Sequence, residues 1–158
     1  MNLVTLRARL HDRPGALERL IGLLRRRAFA VQRMSVSHAR DVVEVVLRID
    51  PARTAPDRVR AELLNLHDII AVDGAGAPPV PPTRELLLAW LRPGSPAPAT
   101  NGRVLSSTSA GVLLEITGSP EEIDDVLTRL DQLGEAVNVV RSGEVATPGA
   151  PPAPETNP

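Results

Sequence analysis

The sequence predicts an α+β fold made of two small two-layer halves, and three observations carry that reading. Hydropathy alternates with period two in some segments and recurs at three and four residues in others. Over residues 4–72 these segments follow one another as strand, helix, strand, strand, helix, strand. A Pro/Gly-rich run, Gly74-Ala75-Gly76-Ala77-Pro78-Pro79-Val80-Pro81-Pro82, then separates that block from a shorter second series.

In the first strand Val4, Leu6, Ala8 and Leu10 alternate with Thr5, Arg7 and Arg9, the pattern of a half-buried strand. Asp12-Arg13-Pro14-Gly15-Ala16-Leu17 turns tightly at Pro14-Gly15 and starts a helix at once. Backbone N–H groups there aim at whatever lies above the turn, a seat for a carboxylate. Leu17, Leu20, Ile21 and Leu24 share one helix face, and Arg25, Arg26 and Arg27 gather at its C-terminal end. The macrodipole favours each such cation there by roughly 0.3 to 1 kcal/mol. Met34 and Val36 then alternate with Arg33, Ser35 and Ser37, and Val43, Val45, Leu47 and Ile49 alternate with Glu44 and Arg48, across a short Ala39-Arg40-Asp41 turn. This is a hairpin. Thr54-Ala55-Pro56-Asp57 reads as a capping box opening a second helix with Val59, Leu63 and Leu66 as its stripe, and residues 68–72 form a last strand. The order βαββαβ places two helices on one face of an antiparallel sheet.

The second half repeats the theme imperfectly. Residues 84–92 are a strongly apolar strand carrying the only tryptophan, Trp90, and Pro93-Gly94-Ser95-Pro96-Ala97-Pro98-Ala99 stops it, because its prolines remove donors and fix φ. Residues 103–106 and 111–117 pair around a Ser107-Thr108-Ser109 turn. Ser119-Pro120-Glu121-Glu122 starts a helix with a hydroxyl cap, a first-turn proline and a glutamate at the third position. Ile123, Val126, Leu127, Leu130 and Leu133 supply its stripe, Gly134 ends it, and residues 136–141 make the final strand. The Pro-rich stretch 146–158 has no periodicity and is expected to be disordered. The organisation expected is a first domain over 1–74, a linker over 75–83, a smaller, partly truncated α+β domain over 84–146 and a tail over 147–158.

Composition narrows the function. The chain has no cysteine, so neither disulfides nor thiolate metal sites are available, and no run approaches the ~20 apolar residues of a membrane span. With no signal-peptide core at its start, a cytoplasmic location is the expectation, without a membrane partner. Every basic residue is arginine. Residues 1–60 hold 13 Arg against 6 Asp plus Glu, and residues 61–158 hold 5 against 13, so the halves carry +7 and −8 and can attract one another. The basic half lacks the aromatic platform of sheet-face RNA readers, with one Phe, one Trp and no Tyr in the whole chain, which argues against nucleic acid as a partner. His11, His38 and His67 have no metal-like spacing, and the serines at 106–109 lack the strand-to-helix setting of a nucleophile. Halves of about 70 residues gain from self-association.

Asp12-x-Pro14-Gly15-Ala16-Leu17, the helix end Arg25-Arg26-Arg27-Ala28-Phe29 and Val31-Gln32-Arg33-Met34-Ser35-Val36 resemble the N-terminal ACT domain of acetohydroxyacid synthase (acetolactate synthase) small regulatory subunits, a ferredoxin-like fold. Glu115-Ile116-Thr117-Gly118-Ser119-Pro120-Glu121-Glu122-Ile123-Asp124 and Val139-Val140-Arg141-Ser142-Gly143-Glu144-Val145-Ala146 resemble that family's second domain, including its arginine, small residue, glycine ending.

The resemblance covers about residues 3–146 and implies a non-catalytic regulator with no cofactor of its own. It would form a homodimer through side-by-side ACT domains, bind a branched-chain amino acid such as valine at their interface, and activate the separate catalytic large subunit. It points to Asp12, Pro14, Gly15, Ala16, Ala30 and Val31 as effector-binding residues. Asp12 would accept from the ammonium group, the turn would donate to the carboxylate, and a neighbouring chain's second strand would wall the side chain. Asp12 and Gly15 also fit plain turn chemistry, and the three consecutive arginines fit a solvated helix end.

Three departures stand out. Ala28-Phe29-Ala30 replaces the family's Gly-x-Asn, removing an amide that contacts the effector. Asp12 replaces an Asn. The second domain lacks its first helix. An alternative reading is a stand-alone amino-acid-binding ACT module acting on another enzyme. A small enzyme of the same fold is disfavoured, since no general base with an oriented nucleophile is visible.

Overall fold

The computed structural model describes residues 3–76, 80–95 and 102–146. In the first half β1 (Val4–His11), α1 (Ala16–Arg26), β2 (Val31–Ala39), β3 (Val42–Ile49), α2 (Pro56–Leu64) and β4 (Ile69–Asp73) build a four-stranded antiparallel sheet in the order β2-β3-β1-β4. Strand periodicity sorts the side chains. Leu6, Ala8, Leu10, Val43, Val45, Leu47 and Ile49 face the two helices and are buried with Leu20, Leu23, Val59 and Leu63. Thr5, Arg7, Arg9, Glu44 and Arg48 occupy the other, helix-free face, where Arg7 bridges Glu44 and Asp73.

The second half, β5 (Thr83–Leu91), β6 (Arg103–Thr108), β7 (Gly111–Gly118), α3 (Pro120–Leu133) and β8 (Ala136–Arg141), gives the order β6-β7-β5-β8. This is the first half's topology with one helix fewer: among the described residues no helix lies between β5 and β6. Among the described residues α3 is the one helix on this sheet, burying Ile123, Val126 and Leu130 against Leu87, Ala89, Leu91, Leu114 and Ile116. Its Ser119–Glu122 capping box forms as the sequence predicts. Val104 and Leu105, on the uncovered side at β6, stay exposed.

The structure departs from the sequence reading at several places. Leu23 rather than Ile21 completes the buried face of α1, and Ile21 is exposed at the sheet's edge. Thr54 caps no helix. The N-cap of α2 is Ala55 without a side-chain bond, and Thr54 Oγ1 instead accepts the Ala30 N–H at 2.8 Å, fastening the start of β2 to the β3–α2 loop. Pro56 opens α2 and, having no N–H, needs no capping acceptor. The β6–β7 turn falls at Ser109-Ala110, two residues beyond the centre expected. Leu133, assigned to the α3 stripe, is exposed. Ala146, assigned to the tail, pairs with Thr83 in a two-residue strand β9 (Val145–Ala146). The tail beyond it and residues 77–79 of the linker lie outside the described residues.

Ala28 takes φ 51°, one residue past the C-cap Arg27 of α1. A left-handed residue at that position ends a helix well, but a Cβ there costs roughly 1–2 kcal/mol. Ala28→Gly is expected to stabilise the protein by about 1 kcal/mol; a thermal melt that moves down would contradict this.

Candidate functional site

The β1–α1 turn is held by short-range bonds that follow from its sequence. Asp12 N–H donates to the Asp41 carbonyl at 3.0 Å, tying the turn to the β2–β3 hairpin, and Ala16 N–H donates to the Arg13 carbonyl at 3.0 Å. Gly15, at φ 79°, is the left-handed residue that lets α1 begin immediately. The Ala16 donor is therefore used internally. The N–H groups of Gly15, Leu17 and Glu18 have no acceptor among the described residues and remain at the positive end of the helix.

A cavity of about 370 Å³ opens over them, lined by residues 12–18 with His38 and Val43. It offers backbone donors and the Arg13 guanidinium to an anion, and the Asp12 and Glu18 carboxylates to a cation. A small zwitterion satisfies both.

Behind the turn, Arg19 Nε donates to Asp68 Oδ2 at 2.7 Å, and Arg19 Nη2 donates to the Pro14 carbonyl at 3.2 Å. Asp68 is completely buried. The Arg19 hydrogen bond holds its carboxyl below the usual carboxylate range in spite of desolvation, and Asp68 in turn raises the Arg19 guanidinium. Sequence reasoning took Asp68 only as the first residue of a strand. Nothing in residue spacing brings together positions 19 and 68, which meet because α1 and the α2–β4 connection pack side by side.

The six expected effector residues fall in two places. Asp12, Pro14, Gly15 and Ala16 line the cavity just described. Val31 lines a separate, apolar cavity of about 270 Å³ with Ile21, Leu24, Phe29 and Met34, and Ala30 adjoins it in sequence. Strand register sets the gap between them: on β3, His38 opposes Val43 and Val31 opposes Ile49. Seven residues of β2 separate the two ends, about 23 Å at 3.3 Å per residue.

Gly15→Val tests the turn. A Cβ at Gly15 lands 2.7 Å from Arg19 Nη1, which can swing away, but φ 79° strains a β-branched residue regardless. Loss of amino-acid binding by calorimetry, with helical circular dichroism nearly unchanged, is the expected outcome. Unchanged affinity would place the site elsewhere.

A second polar cluster joins the halves. Arg33 Nη2 donates to Asp124 Oδ1 at 2.9 Å, Arg48 Nε to Glu144 Oε1 at 2.7 Å and Arg48 Nη2 to Glu121 Oε1 at 3.1 Å. In each pair the arginine is in the basic half and the carboxylate in the acidic one. Arg141 Nη1 donates to the same Asp124 oxygen at 2.6 Å and also pairs with buried Glu85.

Desolvation raises the Asp124 and Glu121 carboxyls. For Asp124, Arg141 and Arg33 outweigh it; for Glu121, its own backbone N–H and Arg48 do; both end below the usual range. Burial pushes Glu85 up despite Arg141. Pairs of the first kind stabilise fully above the ordinary carboxylate range and lose that stabilisation as pH falls through the lowered folded value; a raised carboxyl works in the opposite sense. The melting temperature is therefore expected to hold or rise slightly from pH 7 to pH 5 and to fall below about pH 4. A steady fall beginning at pH 7 would refute this.

Comparison with known proteins places this geometry. Residues 12–72 match the ACT domain family, and residues 97–148 match the family described as the small subunit of acetolactate synthase. Among solved structures, the chain is similar to the acetolactate synthase small subunit of Thermotoga maritima, with TM-score 0.73 and 18% identity, covering 93% of this chain and 97% of that one. A protein of unknown function from Galdieria sulphuraria matches with TM-score 0.40 and 17% identity over 91% of this chain and 98% of that one. Among the described residues no helix is long and apolar enough to cross a membrane. An ACT domain match and a match to the small subunit of acetolactate synthase thus stand in tandem on one ferredoxin-like frame, and that frame is shared with the Thermotoga maritima protein.

Proposed function

We propose that this chain is the regulatory, non-catalytic partner of the acetolactate synthase catalytic subunit, raising its turnover and sensing a branched-chain amino acid at a homodimer interface. The observation that carries the sensing part is the outer edge of β2, which no strand of the described residues pairs. β2 is terminal in its sheet, and Met34, Val36 and the neighbouring Ile21 are each about 40% exposed there. An unpaired strand edge flanked by apolar side chains favours a second copy.

Antiparallel pairing of two β2 strands about Ser35 sets the Val31 end of one protomer beside the His38 end of its partner. Ala30 and Val31 of one chain then approach the Asp12–Ala16 turn of the other, and the six residues that one chain holds about 23 Å apart become two composite sites. The turn supplies donors and acceptors for the amino acid's backbone groups, and the β2 start supplies an apolar wall. With alanine at residue 30 the wall offers no side-chain amide, so the effector's polar groups rest on the turn alone.

The test is reconstitution. The chain is mixed with its catalytic subunit, acetolactate formation from pyruvate is measured, and complex formation is followed by co-elution. The chain alone is expected to be inactive, and the mixture several times more active than the catalytic subunit by itself. Equal turnover with and without the chain overturns the proposal. Titration with valine, leucine and isoleucine in the same assay identifies the effector.

A further inference from the structure

β2 ends its sheet along its outer edge but is gripped from the sheet's helix-free face, where the second half packs. Between β8 and β9 three residues, Ser142, Gly143 and Glu144, stand opposite only Glu85 and Leu86 of β5, so the strand carries one extra residue and bulges out of the sheet. The bulge is pinned at its base: Ser142 N–H donates to the Leu86 carbonyl and Leu86 N–H donates to Ser142 Oγ, both at 2.8 Å.

Its tip reaches β2. Glu144 N–H donates to Ser35 Oγ at 2.7 Å, and a Cβ built on Gly143 would lie 2.8 Å from the Ser35 Cβ, so only glycine allows this approach. The Glu144 carboxylate, nearly inaccessible to solvent, accepts from Arg48 on β3 and from Thr83 Oγ1 on β5. Two residues away on β2, Arg33 shares one oxygen of Asp124 with Arg141. Within the Arg141–Glu144 ending, the Glu144 N–H and the close approach of Gly143 hold the middle of the edge strand β2, while the Glu144 carboxylate ties β3 and β5 to the same point.

We propose that this bulge, with Asp124, is a latch that fixes β2 from the helix-free face of its sheet, so that seating of the second half and self-association along the outer edge of β2 are energetically coupled. The inference deepens the reading of β2 as the dimer and effector edge; its hydrogen-exchange arm stands without that reading. Coupling of this kind is reciprocal: whatever loosens the latch loosens the edge, and whatever orders the edge tightens the latch. The physical basis is one strand shared by both contacts.

The full chain is compared with Ser35→Ala, which removes the acceptor of the Glu144 N–H, and with Asp124→Asn, a half-exposed position on α3 where the change weakens the ion pairs to Arg33 and Arg141. Amide hydrogen exchange of β2 is expected to accelerate about tenfold in both variants while β1 and β4 keep their rates, and the dimer dissociation constant to rise at least threefold. Unchanged β2 exchange overturns the latch, and so does acceleration spread evenly over the first half, which would signify general loosening. Faster β2 exchange with an unchanged dissociation constant overturns the coupling. A wild-type chain that is monomeric overturns the dimer reading instead, and exchange alone then judges the latch.

Discussion

Gly111→Ala is expected to unfold the second sheet. Gly111 opens β7 at φ 144°, a conformation that side chains avoid, and a Cβ there would overlap the backbone carbonyl oxygen of Leu91. The obstacle is main chain in the central strand β5, so no rotamer change relieves it. Strain of this kind with an unavoidable clash costs about 3 kcal/mol or more, a large share of the 5–15 kcal/mol that holds an ordinary domain. Among its described residues the second half has one helix and a small buried set, so it has little reserve. The expected record is loss of the Trp90 fluorescence transition, since Trp90 sits in β5 next to the clash, with the ACT half still folded by exchange. An alanine variant that melts within about 5 °C of the parent would show that the strand shifts freely.

Arg48→Ala is expected to cost about 3–5 kcal/mol, because it leaves the buried Glu144 carboxylate without its cation. The side chains of Arg48 and Glu144 are 11% and 2% exposed. A control separates lost packing from a stranded charge. If the charge dominates, Arg48→Met should be nearly as damaging as alanine, whereas Arg48→Met combined with Glu144→Gln should recover most of the loss. Equal damage in the single and double variants would mean that the pair's shape, not its electrostatics, matters. Chemical denaturation gives the numbers.

Much of this frame was legible in the sequence, and particular residues show why. Leu6, Ala8 and Leu10 alternate cleanly because β1 is central and half-buried, and Ser119 with Glu122 announces α3 because capping is a contact three residues long. Thr54 misled because its hydroxyl had two suitors, a helix N–H nearby in sequence and the Ala30 N–H 24 residues away, and only the fold decides between them. Ile21 misled for the same reason in reverse: its spacing suits a buried stripe, but β2 ends the sheet and leaves nothing beyond it to bury against.

At the site, the Asp12–Ala16 turn was readable as local chemistry. Arg19 with Asp68, His38 and the bulge at Gly143 were not, since each depends on packing between distant segments. The charge imbalance between halves was a usable signal: it foretold attraction, and the arginine–carboxylate pairs between Arg33, Arg48 and the second half supply it.

That no helix stands between β5 and β6 among the described residues bears on the order in which the chain acquires structure. Residues 4–73 close a complete two-layer core whose contacts are contained within about seventy residues, so this block can fold as soon as it is synthesised. The second block emerges later with one helix and an uncovered strand, and it meets Arg33 and Arg48 already displayed on a finished surface. The first half thus serves the second as a template. A chain ending after the ACT block keeps its whole core, whereas the second block made alone loses the surface that supplies cations for Glu121, Asp124 and Glu144 and is left with aggregation-prone strands.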